Sequence, residues 1–437
     1  MRSTPSDRAS AWHFGTGLIT GLILAAILSR VMPGEAEADV QHYREVRDFV
    51  REAFVAETDS DEMVDRALHG LVESLDEYSR YYNEPEVTGL ERETGGRYEG
   101  FGVVFRRPYN RARVLFTTPG GPAREAGMRV GDLLLELDGE AVEPMHEEDV
   151  HAIIADETRQ TLSFTVRGLD GETRRLAATR RSLVDPTVRH ERMIVPDDGI
   201  GYVAIRSFSH ETPDELDRAF RRLRGQDMRA LVLDLRGNTG GVLSSAVRIA
   251  RRFVTDGTIV STEGRGEPIV YSAEPDEALF AGTPLVVLVD ESSASASEVL
   301  AGALRDHRVA VLCGSPTYGK GMVQTIRHFK RAEAVAKVTS SYYYTPSHTN
   351  LERSALARDY GLLPDLAVPL TLDERREVYS SLERISPPGD ALAAIRAWEE
   401  SEGIELLDRS LPDPQLQAAL DLLRGRRPGP TALPEGT

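Results

Sequence analysis

Four serines fall within Glu291-Ser292-Ser293-Ala294-Ser295-Ala296-Ser297-Glu298, the stretch of this chain with the most chemical potential. An apolar run, Pro284 to Val289, precedes it, and its length and β-branched content suit a buried strand. Val299, Leu300, Ala303 and Leu304 follow at the spacing of a helix's apolar face. A small-residue turn between strand and helix presents a hydroxyl at the helix's positive end. There a nucleophile, and the oxyanion it creates, are stabilised most. The same residues also read as structure alone, because Ser295 and Glu298 fit the Ser-x-x-Glu capping box. On this stretch, capping and catalysis are equally supported.

A serine nucleophile needs a base. Gly314-Ser315-Pro316-Thr317-Tyr318-Gly319-Lys320-Gly321 offers one lysine in a glycine-rich loop, directly after the strand-like Val309 to Leu312. Burial that lowers a lysine's pKa frees the neutral amine to act as base; left in solvent, Lys320 is an ordinary loop cation. Read as a phosphate loop, the segment nearly matches G-x-x-x-x-G-K-[ST], but Gly321 has no hydroxyl to offer a metal ion. The pair Asp306-His307 suggests a Ser-His-Asp arrangement. Both sit near the end of the helix that begins at Ser295, roughly 18 Å away at about 1.5 Å per residue, and are expected at the surface. The ten histidines and one cysteine show no zinc-like spacing, and no metal or cofactor is implied. Cys313 forms no internal disulfide and is expected as a buried small hydrophobe.

Ser-Ala-Ser-Ala-Ser-Glu at 293–298, with Thr-Tyr-Gly-Lys-Gly-Met-Val-Gln at 317–324, resembles the carboxy-terminal processing (tail-specific) proteases. These are serine peptidases that use a serine–lysine dyad. The resemblance implies Ser295 as nucleophile, Lys320 as general base and Gln324 as the residue that orients the lysine. Asp234-Leu235-Arg236-Gly237-Asn238-Thr239-Gly240-Gly241 resembles the family's Asp-Leu-Arg-x-Asn-Pro-Gly-Gly, with Thr239 replacing proline. Glycines let backbone come close to a substrate and leave an amide free to point at it. Matched to the family, the amides of Gly241 and Ala296 form the oxyanion hole. Taken alone, the glycine pair is an ordinary turn between a strand and a helix.

Several elements must position these groups. Residues 183–372 form the expected catalytic core, with strands at Gly201–Ile205, Arg229–Leu235 and Ala334–Ser341 and a helix at Pro213–Leu223. Within it, His348 to Tyr360 departs from the family's short link. Residues 96–182 resemble a PDZ domain of the permuted, bacterial type. The resemblance rests on Tyr98-Glu99-Gly100-Phe101-Gly102-Val103-Val104, Gly120-Gly121-Pro122-Ala123-Arg124-Glu125-Ala126-Gly127 and Val130 to Gly139. A helix is expected over Glu147 to Ala155. That architecture holds a carboxylate on the amides of Gly100 to Gly102 while a peptide adds as a strand beside 102–105, which includes Val103. Phe101, Val150 and Ile154 are expected to line an apolar pocket. The alternative is a degenerate PDZ domain that only packs.

Residues 1–38 read as an export signal. Trp12 to Ser29 carries no charged residue, and Arg2 and Arg8 precede it. It is either a signal peptide cut at Ala36-Glu37-Ala38 or a short uncleaved anchor. The distance of that site from the apolar centre, and its glutamate, favour the anchor. Residues 39–95 read as helices, with Val46, Phe49, Val50 and Phe54 at helical spacing and Asp59-Ser60-Asp61 opening a second helix, a packing and dimerising element. Residues 373–437 are expected as a helical extension, with a helix at Asp413 to Leu420 and a Pro-, Gly- and Arg-rich disordered tail after Arg424.

The net charge of −18 argues against nucleic acid as a partner, because phosphates must be neutralised by cations. The fold class expected is multidomain α/β and α+β. N-terminal helices lead into a PDZ domain, an α/β serine-peptidase core and a C-terminal helical extension. The function expected is an exported endopeptidase that binds free, apolar protein C-termini through the PDZ domain and cuts near them. Its location would be periplasmic or otherwise extracytoplasmic, with the membrane a partner where the N-terminal segment stays uncleaved and a homo-oligomer formed through the helical termini. The alternative is a catalytically idle PDZ adaptor of the cell envelope.

Overall fold

The computed structural model describes residues 35–106, 112–118, 120–330, 333–353, 361–383, 397, 399–401, 403 and 413–425. The chain divides into two compact units, Met1–Tyr81 and Tyr82–Thr437. In the first, helix α1 (Glu35–Ala53) is followed by α2 (Ser60–Glu73) and the short boundary strand β1 (Arg80–Tyr82). The carboxylate of Asp59 caps α2, accepting from the N–H groups of Asp61 and Glu62 at 2.9 Å. The apolar stripe of α1 faces solvent, Phe49 being 68% and Phe54 58% exposed. Helix α1 takes in Ala36 to Ala38, whereas residues 12–29 and the tail from 426 lie outside the described residues. Among the described residues, no helix is long and apolar enough to cross a membrane.

The second unit opens with α3 (Glu84–Gly95), and then the strands β2 (Arg97–Gly100) and β9 (Arg181–Val184) pair antiparallel as a neck. Between them lies an antiparallel sheet in the order β3 (Val103–Arg106), β4 (Arg113–Thr117), β5 (Leu133–Leu137), β7 (Thr161–Arg167) and β8 (Thr173–Thr179), with β6 (Glu140–Ala141) on β5. Helices α4 (Pro122–Glu125) and α5 (Glu147–Ala155) complete it around Phe101, Phe105, Val114, Leu137, Val150, Leu162 and Phe164. Strands β3 and β8 are the two edges of this sheet.

The rest of this unit is built on a six-stranded sheet, ordered β10 (Val188–Val195), β11 (Ile200–Ile205), β12 (Ala230–Asp234), β15 (Leu285–Val289), β16 (Val311–Gly314), β19 (Leu366–Ala367). All neighbours are parallel except β10 against β11. Strands β11, β12 and β15 are buried along their whole length, as expected of a parallel sheet covered on both faces. Their residues alternate between two cores. Leu231, Leu233, Val287 and Val289 meet helices α6 (Thr212–Arg224), α7 (Leu243–Arg251) and α8 (Ala296–Asp306). Val232, Val286 and Leu288 meet Val378 of α9 (Leu372–Glu383) and Ala418, Ala419 and Leu420 of α10 (Pro414–Leu423). Each such buried aliphatic chain contributes about 1.5–3 kcal/mol. A second sheet joins β17 (Met322–Phe329), β18 (Ala334–Tyr344), β13 (Thr258–Gly264) and β14 (Ile269–Ser272).

Several expectations change here. The strand expected from Val309 begins at Val311, because Val309 and Ala310 donate their N–H groups to the Leu304 carbonyl at 3.0 and 3.2 Å and finish the preceding helix. Asp306 and His307, expected at the surface, are half-buried. Asp306 accepts from Ser347 N at 3.0 Å, in the loop after β18, and His307 Nε2 lies 2.7 Å from the Thr258 carbonyl of β13, so the pair ties the end of α8 to a neighbouring loop and strand. The terminal helix α10 is less an appendage than one cover of the sheet. Cys313 is fully buried, and burial pushes its thiol up to about 12.

Candidate active site

Ser295 stands where β15 turns into α8, with φ 56° and ψ −115°. A side chain in this region costs about 1–3 kcal/mol, a strain that clusters at functional turns. Strand-to-helix elbows of this kind lift a nucleophile's hydroxyl clear of the sheet. The capping pair is present too, so capping and catalysis do not exclude one another.

Glu298 does more than cap. It is fully buried, and its carboxylate Oε2 accepts from the backbone N–H of Ser295 at 2.8 Å and of Lys320 at 2.9 Å. Oε1 accepts from Thr317 Oγ1 at 2.6 Å and Gly319 N at 2.8 Å. One carboxylate thus fastens the lysine loop to the serine turn. Burial pushes its pKa up, and the hydrogen bonds from Thr317, Lys320, Gly319 and Ser295 pull against that rise. Tyr343 adds a second tie, its hydroxyl donating to the Lys320 carbonyl and lying 3.3 Å from that of Ser295. Lys320 itself is half-buried. Gln324 sits on β17 next to a bulge, its amide donating to Thr339 Oγ1 at 3.3 Å.

The loop after β12 closes over the same turn. The Asn238 carbonyl accepts from Ala294 N at 3.0 Å and from Ser297 Oγ at 2.8 Å. A Cβ on Gly240 would lie 2.9 Å from Ser295 Cβ, and one on Gly241, at φ +134°, would collide with the Phe208 backbone. Among the described residues, the N–H groups of Gly241 and Ala296 have no hydrogen-bond acceptor. Ala296, 1% exposed, opens α8, where a helix N–H has no acceptor within the helix. Behind this loop, burial would raise the Asp234 carboxyl, yet the charge and hydrogen bonds of Arg236 and the Tyr202 hydroxyl hold it below the usual range. Arg236 also reaches Asp413, 2.8 Å away at the start of α10.

The phosphate-loop reading fails on geometry. Strand β17, not a helix, follows Gly321, so the glycine-rich loop lacks the helix N-terminus that a phosphate loop uses. No group of three or more His, Cys, Asp or Glu side chains among the described residues could hold a metal ion.

In the domain between β2 and β9, the N–H groups of Phe101 and Gly102 have no acceptor among the described residues, whereas Gly100 belongs to the β2–β9 pairing. Phe101 and Val150, expected to line an open pocket, are 1% and 0% exposed inside the core, where Phe101 meets Phe164 edge-on at 5.9 Å. Val103 and Ile154 are half-buried. Phe105 of β3 stacks on His151 of α5 at 4.5 Å. Sequence reasoning saw Glu298 only as a local cap and missed Tyr343, because their partners lie in loops far away along the chain.

The profile of Peptidase family S41 matches residues 199–368, and that of the PDZ domain residues 118–168. The C-terminal processing peptidase, chloroplastic, of Tetradesmus obliquus is 32% identical over 69% of this chain and 68% of its own length. The carboxyl-terminal-processing peptidase 2, chloroplastic, of Arabidopsis thaliana is 30% identical over 72% of this chain, which spans 62% of that protein. A putative S41 protease structure from Bacteroides fragilis shares the fold, with a TM-score of 0.50 and 17% identity over 82% of this chain and 97% of its own.

Proposed function

The chain belongs to peptidase family S41 as a serine-type C-terminal processing peptidase with a PDZ domain, and from that premise we propose an endopeptidase driven by a Ser295–Lys320 dyad. Ser295 Oγ attacks the scissile carbonyl carbon while the neutral Lys320 amine takes the hydroxyl proton. The resulting oxyanion lies between the N–H groups of Gly241 and Ala296. Removing one such donor typically costs about 2.7–4 kcal/mol of transition-state stabilisation. Lysine then returns the proton to the departing amine, and water hydrolyses the acyl-enzyme with the same lysine as base. Gln324 orients Lys320. The observation that supports this most is the single Glu298 oxygen that accepts from both Ser295 N and Lys320 N.

The substrate is a protein with a free, apolar C-terminus. Its carboxylate would meet the open N–H groups of Phe101 and Gly102 while its backbone extends the sheet at β3. Val103 and Ile154 face it, and Gly100, Phe101 and Val150 shape the loop and wall from behind. Residues 12–29 carry the chain out of the cytoplasm and anchor it to the membrane where uncleaved. The bare stripe of α1 joins copies of the chain. The idle-adaptor reading predicts tail binding without fragments. The unpaired Ala296 and Gly241 amides favour cleavage over it.

Incubating the soluble protein with an unfolded substrate and mapping fragments by mass spectrometry tests this directly. Activity rises with pH, since only an uncharged amine accepts a proton, and Lys320→Arg is inactive because a guanidinium stays protonated. An active arginine variant refutes the base. Amidating the substrate's C-terminus weakens binding about tenfold, by loss of charge-assisted hydrogen bonds.

A further inference from the structure

Asp290 ends β15 and is 5% exposed. Its Oδ1 accepts from the N–H groups of Gly237 and Ser292 at 3.0 Å and of Ser293 at 3.1 Å, and lies 3.2 Å from Ser293 Oγ. This carboxylate therefore joins the loop that carries Gly241 to the turn that carries Ser295 and Ala296. Its one partner from outside those two segments, among the hydrogen bonds of the described residues, is Tyr379 of α9. The Tyr379 hydroxyl donates to Oδ2 at 2.7 Å and lies 2.9 Å from Ser292 Oγ. A Cβ on Gly237 would stand 3.0 Å from Tyr379 Cε1, so the ring also abuts the oxyanion loop. One turn earlier on the same helix face, Arg375 pairs with Glu291.

We propose that Tyr379 is a positioning residue for catalysis, fixing through Asp290 the separation of the Gly241 and Ala296 amides. The inference rests on the serine–lysine reading above. Burial and the Asp290 charge push the phenol well above its usual range, so it remains a donor at any working pH. The bond it makes to a buried carboxylate is of the strong, charge-assisted kind. Losing it leaves the fold and the substrate cleft intact but lets two loops drift. Displacements well under an ångström matter there, because the amides must meet the oxyanion and not the ground-state carbonyl. The C-terminal part of the chain thereby sets the turnover rate of a site assembled far upstream.

The test uses full-length protein and an unfolded protein substrate with an apolar C-terminus. Tyr379→Phe keeps the ring and removes only the hydroxyl. Its kcat is expected to fall about ten- to thirtyfold with KM unchanged within about twofold, since the loss falls on the transition state alone. Asp290→Asn also lowers kcat, and adding Tyr379→Phe to it costs little more, because the two act as one unit. Arg376→Ala, whose side chain is 82% exposed on α9, serves as the control and stays at wild-type rate. Rates are normalised to the folded fraction from circular dichroism at the assay temperature. A wild-type kcat in Tyr379→Phe, a change in KM alone, or a loss fully accounted for by unfolding overturns the positioning role. Cleavage that survives Ser295→Ala instead overturns the dyad, and the positioning role with it.

Discussion

In the catalytic core, buried carboxylates gather main-chain N–H groups, whereas in the PDZ domain a buried guanidinium gathers main-chain carbonyls. Glu298 draws in Ser295, Gly319 and Lys320, and Asp290 draws in Gly237, Ser292 and Ser293. Arg180, 7% exposed, donates to the carbonyls of Glu99 and Ile154 at 2.8 Å, Asp156 at 2.7 Å and Arg159 at 3.2 Å. It thus ties the end of β2 to the end of α5, while its guanidinium lies 4.8 Å from the Phe101 ring centre. The carboxylate hubs use up donors and the guanidinium hub uses up acceptors. Beside the anionic hubs, the N–H groups of Gly241 and Ala296 stay without an acceptor among the described residues, and these are the pair we propose as the oxyanion hole. The cationic hub consumes acceptors, and it lies close behind the Phe101 and Gly102 N–H groups that we propose for a substrate tail. The serine turn is tied to two other loops through side-chain carboxylates, whereas the Phe101–Gly102 loop is held by its own carbonyls, which accept from Ala123 N at 2.9 Å and Thr118 N at 2.8 Å.

The largest expected effect separates the two regions cleanly. Ser295→Ala and Lys320→Ala should each lower kcat/KM at least ~10³-fold, with the double variant no worse than either. Tail-peptide affinity, measured by calorimetry on the same proteins, should not move. Near-normal turnover in Lys320→Ala would dissolve the contrast and return Ser295 to a helix cap.

Glu298→Gln should cost about 10²-fold in kcat, since an amide offers one acceptor oxygen and turns N–H groups toward donors it must satisfy. Again tail affinity should hold. Because burial raises the folded-state pKa of Glu298, the folded protein binds that proton more tightly than the unfolded chain does. Its contribution to stability is therefore fully present below the ordinary carboxyl range and is lost as pH rises through the raised pKa. The thermal midpoint of wild type relative to Glu298→Gln should fall with rising pH, while the activity ratio should climb. A midpoint difference that grows with pH contradicts the raised pKa.

The smallest effect falls on the other region. Arg180→Met leaves four carbonyls without their donor and should weaken tail binding about tenfold. Cleavage of short peptides that bypass the PDZ domain should stay within about twofold. Equal loss in both assays would mean that Arg180 serves the whole unit and not the groove.

The sequence determined the local features of this protein. Short continuous apolar runs marked β11, β12 and β15, and the small-residue turn before Val299 and Leu300 placed Ser295 at a helix start, because these signals depend only on near neighbours. Linked motifs did the rest, since Ser295 and Lys320 lie in segments whose residue types are themselves distinctive. What only the tertiary structure decided is which buried charges hold distant segments together. Glu298 was legible as a cap but not as the partner of Thr317 and Gly319, and neither Tyr379 nor Asp413 carries any local mark of contact with the site. Phe101 followed the same rule in reverse, a loop aromatic that only packing against Phe164 and Arg180 turned inward. Hydrogen-bond hubs of this sort are fixed by which loops the folded sheet brings side by side, and chain spacing holds no trace of that adjacency.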